Sequence, residues 1–166
     1  HNTYEALTTF LSEKAGSSAK VDRSLANRSP TKSHPAQMNY PRQRDMVAFY
    51  GPAGNPACTA GKVKLPIKLS LAWNTRQKIS SFSCHEKLAE PMTNVFEQAV
   101  RHYGEKEFRA LRLDLFGGCF NNRAKRGGTT KSTHAYGAAI DLDPTNNQLR
   151  WGPGQATFSR PEYEPF

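Results

Sequence analysis

Histidine and aspartate, two residue types that bind zinc, lie seven positions apart near the end of this chain, at His134 and Asp141. A catalytic zinc site has three such protein ligands and a water. Two ligands of one ion lie within about 4 Å of each other, whereas seven residues of straight strand span about 23 Å. The segment must therefore fold back if both residues bind one ion, and Gly137 between them favours the tight turn. The alternative is an ordinary turn before a strand, with His134 as a hydrogen-bonded surface residue.

The segment just before this pair, residues 117–128, is rich in glycine and in basic residues. Arg123 and Arg126 are its candidates for substrate binding, because a guanidinium pairs with a carboxylate or a phosphate through two hydrogen bonds. A basic loop beside a metal is a place where the anionic end of a substrate would be bound. The alternative is a solvated basic loop without a ligand.

Composition restricts the size of the fold and the class of partner. The chain has 166 residues, 37% of them apolar, and a mean hydropathy of −0.70, which indicates one domain with loops or a short appendage. Its 23 Lys and Arg against 14 Asp and Glu give a net charge of +9. This charge favours anionic partners such as nucleic acid, a membrane surface or an acidic cell-wall polymer; a soluble basic surface is the simpler alternative. No stretch approaches the roughly 20 apolar residues of a membrane helix, so we expect no membrane insertion.

Composition also divides the chain into three segments. Residues 1–16 are predicted to form a helix, with Asn2 as its N-cap and Gly16 as its stop. Residues 17–39 are dominated by Ser, Lys, Arg, Asn and Pro, which is typical of a polar linker or a wrapping arm. Residues 40–166 have the composition of a folded domain.

Hydrophobic periodicity predicts an α+β domain. Three segments alternate apolar and polar residues as half-buried strands do: Ile67–Trp73, Ile79–Cys84 and Leu111–Phe116. Asn74–Gln77 would connect the first two as a hairpin. Apolar residues repeat at three and four from Pro91 to Tyr103, which predicts a helix that Gly104 ends. We expect a small, mainly antiparallel sheet with helices packed on one side.

Cysteine and its neighbours offer a second candidate metal site, which we do not favour. Cys84-His85-Glu86 lies in a predicted strand, where adjacent side chains point to opposite faces, so at most two of the three could converge. The three cysteines are widely spaced at Cys58, Cys84 and Cys119. Their number and spacing leave two alternatives open, one disulfide with one free thiol or three buried thiols.

The segment Ser132–Asp141 resembles the SxHxxGxAxD signature of the zinc peptidases of the D-alanyl-D-alanine carboxypeptidase group at every fixed position. That group includes vancomycin-resistance dipeptidases and phage L-alanyl-D-glutamate endolysins, and hedgehog signalling domains are structurally related to it. Three further segments are similar to its peptidoglycan-peptidase branch: Gln43–Gly51, Phe116–Asn121 and Asp141–Asn147. The resemblance covers about residues 40–166 and implies the hedgehog-like peptidase fold.

The resemblance also implies a reaction and the roles of its residues. It implies zinc-dependent hydrolysis of a peptide bond in the peptidoglycan stem peptide, by a protein of the cell wall that is secreted or phage-associated. His134 and Asp141 would hold the zinc. Ser132, two residues before His134 in an extended run, would face the same side and hold substrate near the scissile bond. Arg123 is the first candidate for binding a substrate carboxylate or carbonyl oxygen, and Arg126 the second.

This chain departs from the family after Asp141. The family has a third zinc ligand, a later histidine, with a general-base Glu or Asp shortly before it, and no histidine follows Asp141 here. Ser159–Glu162 has the form of a capping box that opens a helix, yet the sequence stops about one turn later. We therefore expect the reading frame to continue past Phe166 and the given chain to bind zinc poorly.

Two alternative functions belong to other classes. The first is a non-catalytic module that binds the cell wall or a protein partner and keeps the fold with an incomplete metal site. The second is a nucleic-acid-binding protein, which the net charge of +9 favours. No basic helix with interleaved aromatic residues supports the second alternative, so we expect no nucleic-acid partner.

Overall fold

The computed structural model describes residues 40–164. The predicted N-terminal helix 1–16 and the linker 17–39 lie outside these residues. The described part has three α-helices: α1 (Met46–Tyr50), α2 (Ala57–Ala60) and α3 (Ala89–Ala110). It has four strands: β1 (Gly61–Leu71), β2 (Asn74–Cys84), β3 (Leu115–Gly118) and β4 (Asp141–Leu142). Five short 3-10 turns complete it: Gln43–Asp45, Glu86–Leu88, Thr133–Tyr136, Thr157–Ser159 and Pro161–Tyr163.

The four strands form one mixed sheet in the order β2-β1-β3-β4. The pairs β1–β2 and β3–β4 are antiparallel, while β1 and β3 are parallel. β1 and β3 are neighbours in the sheet although β2 and α3 separate them in the chain, so β3 runs opposite to β2. The predicted α+β class is confirmed, and the sheet is mixed rather than mainly antiparallel.

The β1–β2 hairpin is longer than its sequence pattern suggests. Both strands have eleven residues, and the turn lies at Ala72 and Trp73 instead of at the predicted Asn74–Gln77. The pairing is irregular between Lys64 and Leu69, where Pro66 has no N–H to donate. Apolar residues nevertheless occupy every second position from Val63 to Leu71, so the pattern extends farther toward the start of β1 than the predicted strand Ile67–Trp73.

Helix α3 packs its apolar side against the hairpin. Met92, Val95, Phe96 and Ala99 are buried, and the Phe96 ring meets Phe82 of β2 edge to face at 6.1 Å between centroids. Gly104 has φ 73° and ψ 157°, so it breaks the helix where the sequence predicts an end. Helical structure then resumes as far as Ala110, which the prediction missed.

Two predictions in the later part of the chain were wrong. Leu111–Asp114 is a turn rather than a strand, because Arg112 adopts a left-handed backbone with φ 60°. The predicted capping box at Ser159 opens no α-helix: the Ser159 hydroxyl donates to the Ala156 carbonyl, and only a 3-10 turn follows. No helix of residues 40–164 is long and apolar enough to cross a membrane.

Candidate metal site

His134 lies in a 3-10 turn, Thr133–Tyr136, that ends at Gly137. Gly137 has φ 62° and ψ 26°, a left-handed conformation that glycine adopts without strain. A Cβ atom at this position would lie 2.0 Å from the Cys58 carbonyl oxygen, so the close packing also requires glycine. The predicted reversal of the chain at Gly137 is confirmed.

Backbone hydrogen bonds from three other segments fix this turn. The Gly54 N–H donates to the Ala135 carbonyl at 2.8 Å, and the Asn121 N–H donates to the His134 carbonyl at 3.0 Å. The His85 N–H donates to the Gly137 carbonyl at 2.9 Å. Because the bonds come from separate parts of the fold, the position of His134 depends on tertiary packing and not on the turn alone.

Asp141 is the first residue of β4. Residues 138–140 before it are buried but irregular, and β4 contains only Asp141 and Leu142. Asp141 pairs with Gly118 of β3, where the register slips by one residue at Gly117. A Cβ at Gly117 would lie 3.0 Å from the Asp141 Cβ, so this glycine leaves room for the aspartate. The Asp141 side chain is 47% exposed and opens the site to solvent.

His134 and Asp141 meet at the end of this reversal, with the imidazole Nε2 3.4 Å from the carboxylate Oδ1. The other ring nitrogen, Nδ1, lies 2.6 Å from the Cys119 carbonyl oxygen. A carbonyl only accepts, so Nδ1 carries the hydrogen, and in the neutral ring Nε2 presents a lone pair to Asp141. Two acceptors at this distance require a proton or a cation between them.

The pair fits two of the ligands of a zinc ion. Bond lengths near 2.0–2.1 Å in a tetrahedral site place neighbouring ligand atoms about 3.3 Å apart. The hydrogen bond from Nδ1 to the Cys119 carbonyl is the kind of contact that orients a metal-binding histidine. Among residues 40–164 no third His, Cys, Asp or Glu joins the pair. The described residues therefore bring two candidate zinc ligands together without a third.

The pKa of His134 is raised above its usual 6.5. Burial by itself lowers this pKa, and nearby Arg123 lowers it further. The hydrogen bond to Asp141 and its negative charge raise the pKa, and so does the hydrogen bond to the Cys119 carbonyl. These effects are larger in sum than the lowering. In the metal-free protein the proton between His134 and Asp141 is thus held more firmly than on a free imidazole.

The three predicted substrate residues occupy different environments. Ser132 is buried and extended, but it does not continue a strand to His134; its hydroxyl accepts from the His134 N–H at 3.4 Å and caps the 3-10 turn. Arg123 is half-buried and close enough to influence the pKa of His134. Arg126 is exposed at the loop tip. Arg123 thus lies near the His134–Asp141 pair, and Arg126 lies farther out in the loop.

The second candidate site, Cys84-His85-Glu86, does not converge on a common point. His85 is buried, its Nε2 lies 3.1 Å from the Tyr50 carbonyl, and its Nδ1 accepts from the Lys87 N–H at 3.1 Å. Both ring nitrogens are therefore already used by the backbone, while Glu86 is exposed. Cys84 is a buried thiol, and burial raises its pKa to about 12. The structure contains three buried free thiols, Cys58, Cys84 and Cys119. This arrangement is one of the two alternatives that the sequence left open for the cysteines.

One ion pair near the site was missed from the sequence. Asp143 is buried, and both of its oxygens accept hydrogen bonds from Arg112, at 2.9 and 2.8 Å. Asn146 donates a third bond to the same carboxylate at 2.8 Å. Asp143 lies two residues after Asp141, so this pair anchors β4 to the turn that precedes β3. Nothing in the local sequence around either residue indicates the pairing.

No protein family, no curated protein and no solved structure matches this chain. The resemblance to zinc peptidases therefore stays a prediction that rests on the residues of the motif.

Proposed function

We propose that the chain carries the zinc-binding half of a peptidase that hydrolyses a peptide bond in the peptidoglycan stem peptide. The observation behind the proposal is the His134–Asp141 pair, whose acceptor atoms Nε2 and Oδ1 are 3.4 Å apart and need a cation or a proton between them. The resemblance of residues 132–141 to the peptidase signature favours the metal over the proton.

Each residue then has a defined task. His134 and Asp141 would hold the zinc, and the Cys119 carbonyl would keep the imidazole in the tautomer that binds it. When bound, zinc supplies an acidified water and polarises the carbonyl that is attacked. Arg123 would pair with a substrate carboxylate beside the site. Ser132 has a positioning task, because its hydroxyl caps the turn that carries His134.

A catalytic zinc requires a third protein ligand, and a hydrolase requires a general base. We propose that both come from outside residues 40–164. The protein would then act at the cell wall, as a carboxypeptidase or as an endopeptidase that is secreted or phage-associated.

The test combines zinc binding with product analysis. Zinc affinity would be measured by calorimetry, and digests of purified peptidoglycan would be analysed by mass spectrometry. Both measurements would use the 166-residue chain and any longer product of its reading frame. We expect His134→Ala and Asp141→Ala to lower zinc affinity by at least tenfold. His102→Ala is the matched control, since His102 is exposed on α3.

Two outcomes would count against the proposal in different ways. Absence of stem-peptide cleavage by the longest product would remove the peptidase function. Cleavage that is insensitive to His134→Ala would leave the function and remove the site assignment.

A non-catalytic module that binds the wall or a partner is the second candidate. The observation that favours it is the lack of a third metal-binding group beside the pair among residues 40–164. Such a module would sediment with peptidoglycan without releasing fragments, and His134→Ala would leave its binding unchanged.

A further inference from the structure

The β1–β2 hairpin has a one-sided charge. Residues 61–84 contain five Lys and Arg and no Asp or Glu. Helix α3, packed against the hairpin, carries four glutamates: Glu90, Glu97, Glu105 and Glu107. The helix also carries Arg101, Lys106 and Arg109, so its charge is nearly balanced and the excess positive charge lies on the hairpin. We call residues 61–84 the cationic hairpin.

Four of the five cations are exposed and form no ion pair with a carboxylate of residues 40–164: Lys62, Lys64, Lys68 and Arg76. Lys78 differs, because its ammonium donates to the Ser70 hydroxyl, which in turn contacts Asp114 at 3.3 Å. Within the described part of the chain no carboxylate pairs with the remaining four charges, which leaves them available to an anionic ligand.

The cations alternate with small hydroxyl side chains. In the register of the hairpin, Lys62 lies opposite Ser83 and Lys64 lies opposite Ser81. Val63 between the lysines is buried, so the two lysines share the outer face with the two serines. Residues two apart on a strand are separated by about 7 Å. This face offers evenly spaced positive charges with hydrogen-bonding groups across from them.

The turn of the hairpin exposes an aromatic residue. Trp73 is 67% exposed, and it is the only large apolar side chain of the hairpin that is exposed to solvent. An indole ring combines an apolar face with an N–H donor and can pack against the carbons of a polyol.

We propose that the cationic hairpin binds a flexible polyol-phosphate polymer of a cell wall. Four unpaired cations match repeating phosphates, and the serines match hydroxyl groups between them. Proteins that bind single-stranded nucleic acid stack its bases on several aromatic side chains, and the hairpin exposes one aromatic residue. Insertion into a membrane interface needs a continuous apolar face, which one tryptophan does not provide. The choice of a cell-wall polymer rests on the proposed function, whereas the binding measurement does not depend on the metal pair.

Charged side chains on an edge strand also prevent it from pairing with other chains, and Arg76 lies on β2, one of the two edge strands of the sheet. That protective role requires no ligand. Binding measurements distinguish the two roles. If the cations only protect the edge, the affinity for the polymer will not depend on particular lysines.

The experiment measures binding of poly(glycerol phosphate) by calorimetry over a range of salt concentrations. Lys62→Gln/Lys64→Gln should weaken binding by about tenfold and reduce the slope of log K against log salt by roughly 1.5, since each charge neutralised releases counterions. The matched control is Arg101→Gln/Lys106→Gln, which removes the same charge from exposed positions of α3 and should change neither quantity by more than about twofold. Thermal unfolding of each variant verifies that the fold is kept.

Fluorescence provides a second measurement. Addition of the polymer should change the emission of the protein, and the change should be lost in Trp73→Phe. Equal weakening in the α3 control, or no weakening in the lysine variant, would overturn the proposal. Tighter binding to a single-stranded RNA of equal charge, or to vesicles of phosphatidylcholine and phosphatidylglycerol, would also overturn it and identify the partner as nucleic acid or membrane.

Discussion

Replacing Gly137 by alanine should destabilise the domain strongly, because two separate costs combine at this position. A left-handed backbone costs a residue with a Cβ about 1–2 kcal/mol. The new Cβ would lie 2.0 Å from the Cys58 carbonyl oxygen, so one of the two backbones must move by about 1 Å to relieve the overlap. That movement strains the bond from the His85 N–H to the Gly137 carbonyl, and a lost buried hydrogen bond costs about 1–3 kcal/mol. The expected loss is therefore about 2–5 kcal/mol, a large part of the 5–15 kcal/mol typical of a domain.

Urea unfolding followed by circular dichroism measures this loss. Gly127→Ala is the matched control, since Gly127 also has a positive φ, 76°, but no atom lies within 4 Å of the position its Cβ would occupy. It should lose only the conformational cost, about 1–2 kcal/mol. If the two variants lost the same stability within about 0.5 kcal/mol, the steric argument at Gly137 would be refuted.

Three further predictions concern single side chains. Arg112→Met should lower the free energy of unfolding by about 2–3 kcal/mol, as urea unfolding would measure. This loss is smaller than for a fully buried pair because the Arg112 side chain is 48% exposed. Asp143→Asn in the same background should recover part of the loss. In the metal-free protein Asp141→Asn should lower the pKa of His134 in an NMR titration. Because folding raises the pKa of His134, the pair stabilises the fold fully below about pH 6.5. This stabilisation is lost as the pH rises through the pKa of His134 in the folded protein. The stability of Asp141→Asn should lack this pH dependence. Finally, Cys84, with a pKa of about 12, should resist iodoacetamide at pH 8 until urea unfolds the protein, as mass spectrometry would show.

The sequence predicted the elements whose apolar pattern is regular and missed those defined by backbone exceptions. The periodic stripe located the first part of α3 and its break at Gly104. Leu111, Leu113 and Leu115 imitate a strand because the turn around left-handed Arg112 buries the first two leucines. The parallel pairing of β1 with β3 depends on contacts between distant residues, which no local pattern encodes.

For the candidate site, the sequence predicted the two residues that meet but not what orients them. His134 and Asp141 were paired because a shared ion requires a reversal and Gly137 permits one. The Cys119 carbonyl that holds the imidazole is fifteen residues away, and any residue type could supply it. The spacing of Ser132 and His134 predicts an extended run, whereas in the structure Ser132 is extended and His134 begins a tight turn that the Ser132 hydroxyl caps.

The loop that carries Arg123 is closed by its own backbone. Ala124 bridges Lys131, the Lys125 N–H donates to the Thr130 carbonyl at 2.9 Å, and the Ser132 N–H donates to the Arg123 carbonyl at 3.1 Å. Arg126 is exposed at the tip, where trypsin can reach it. A single cut there would leave both new ends paired to each other, so the two fragments should co-elute from a sizing column and separate only on a denaturing gel. Because these backbone pairs close the base of the loop, an affinity tag or a fluorophore can be inserted at its tip without displacing His134.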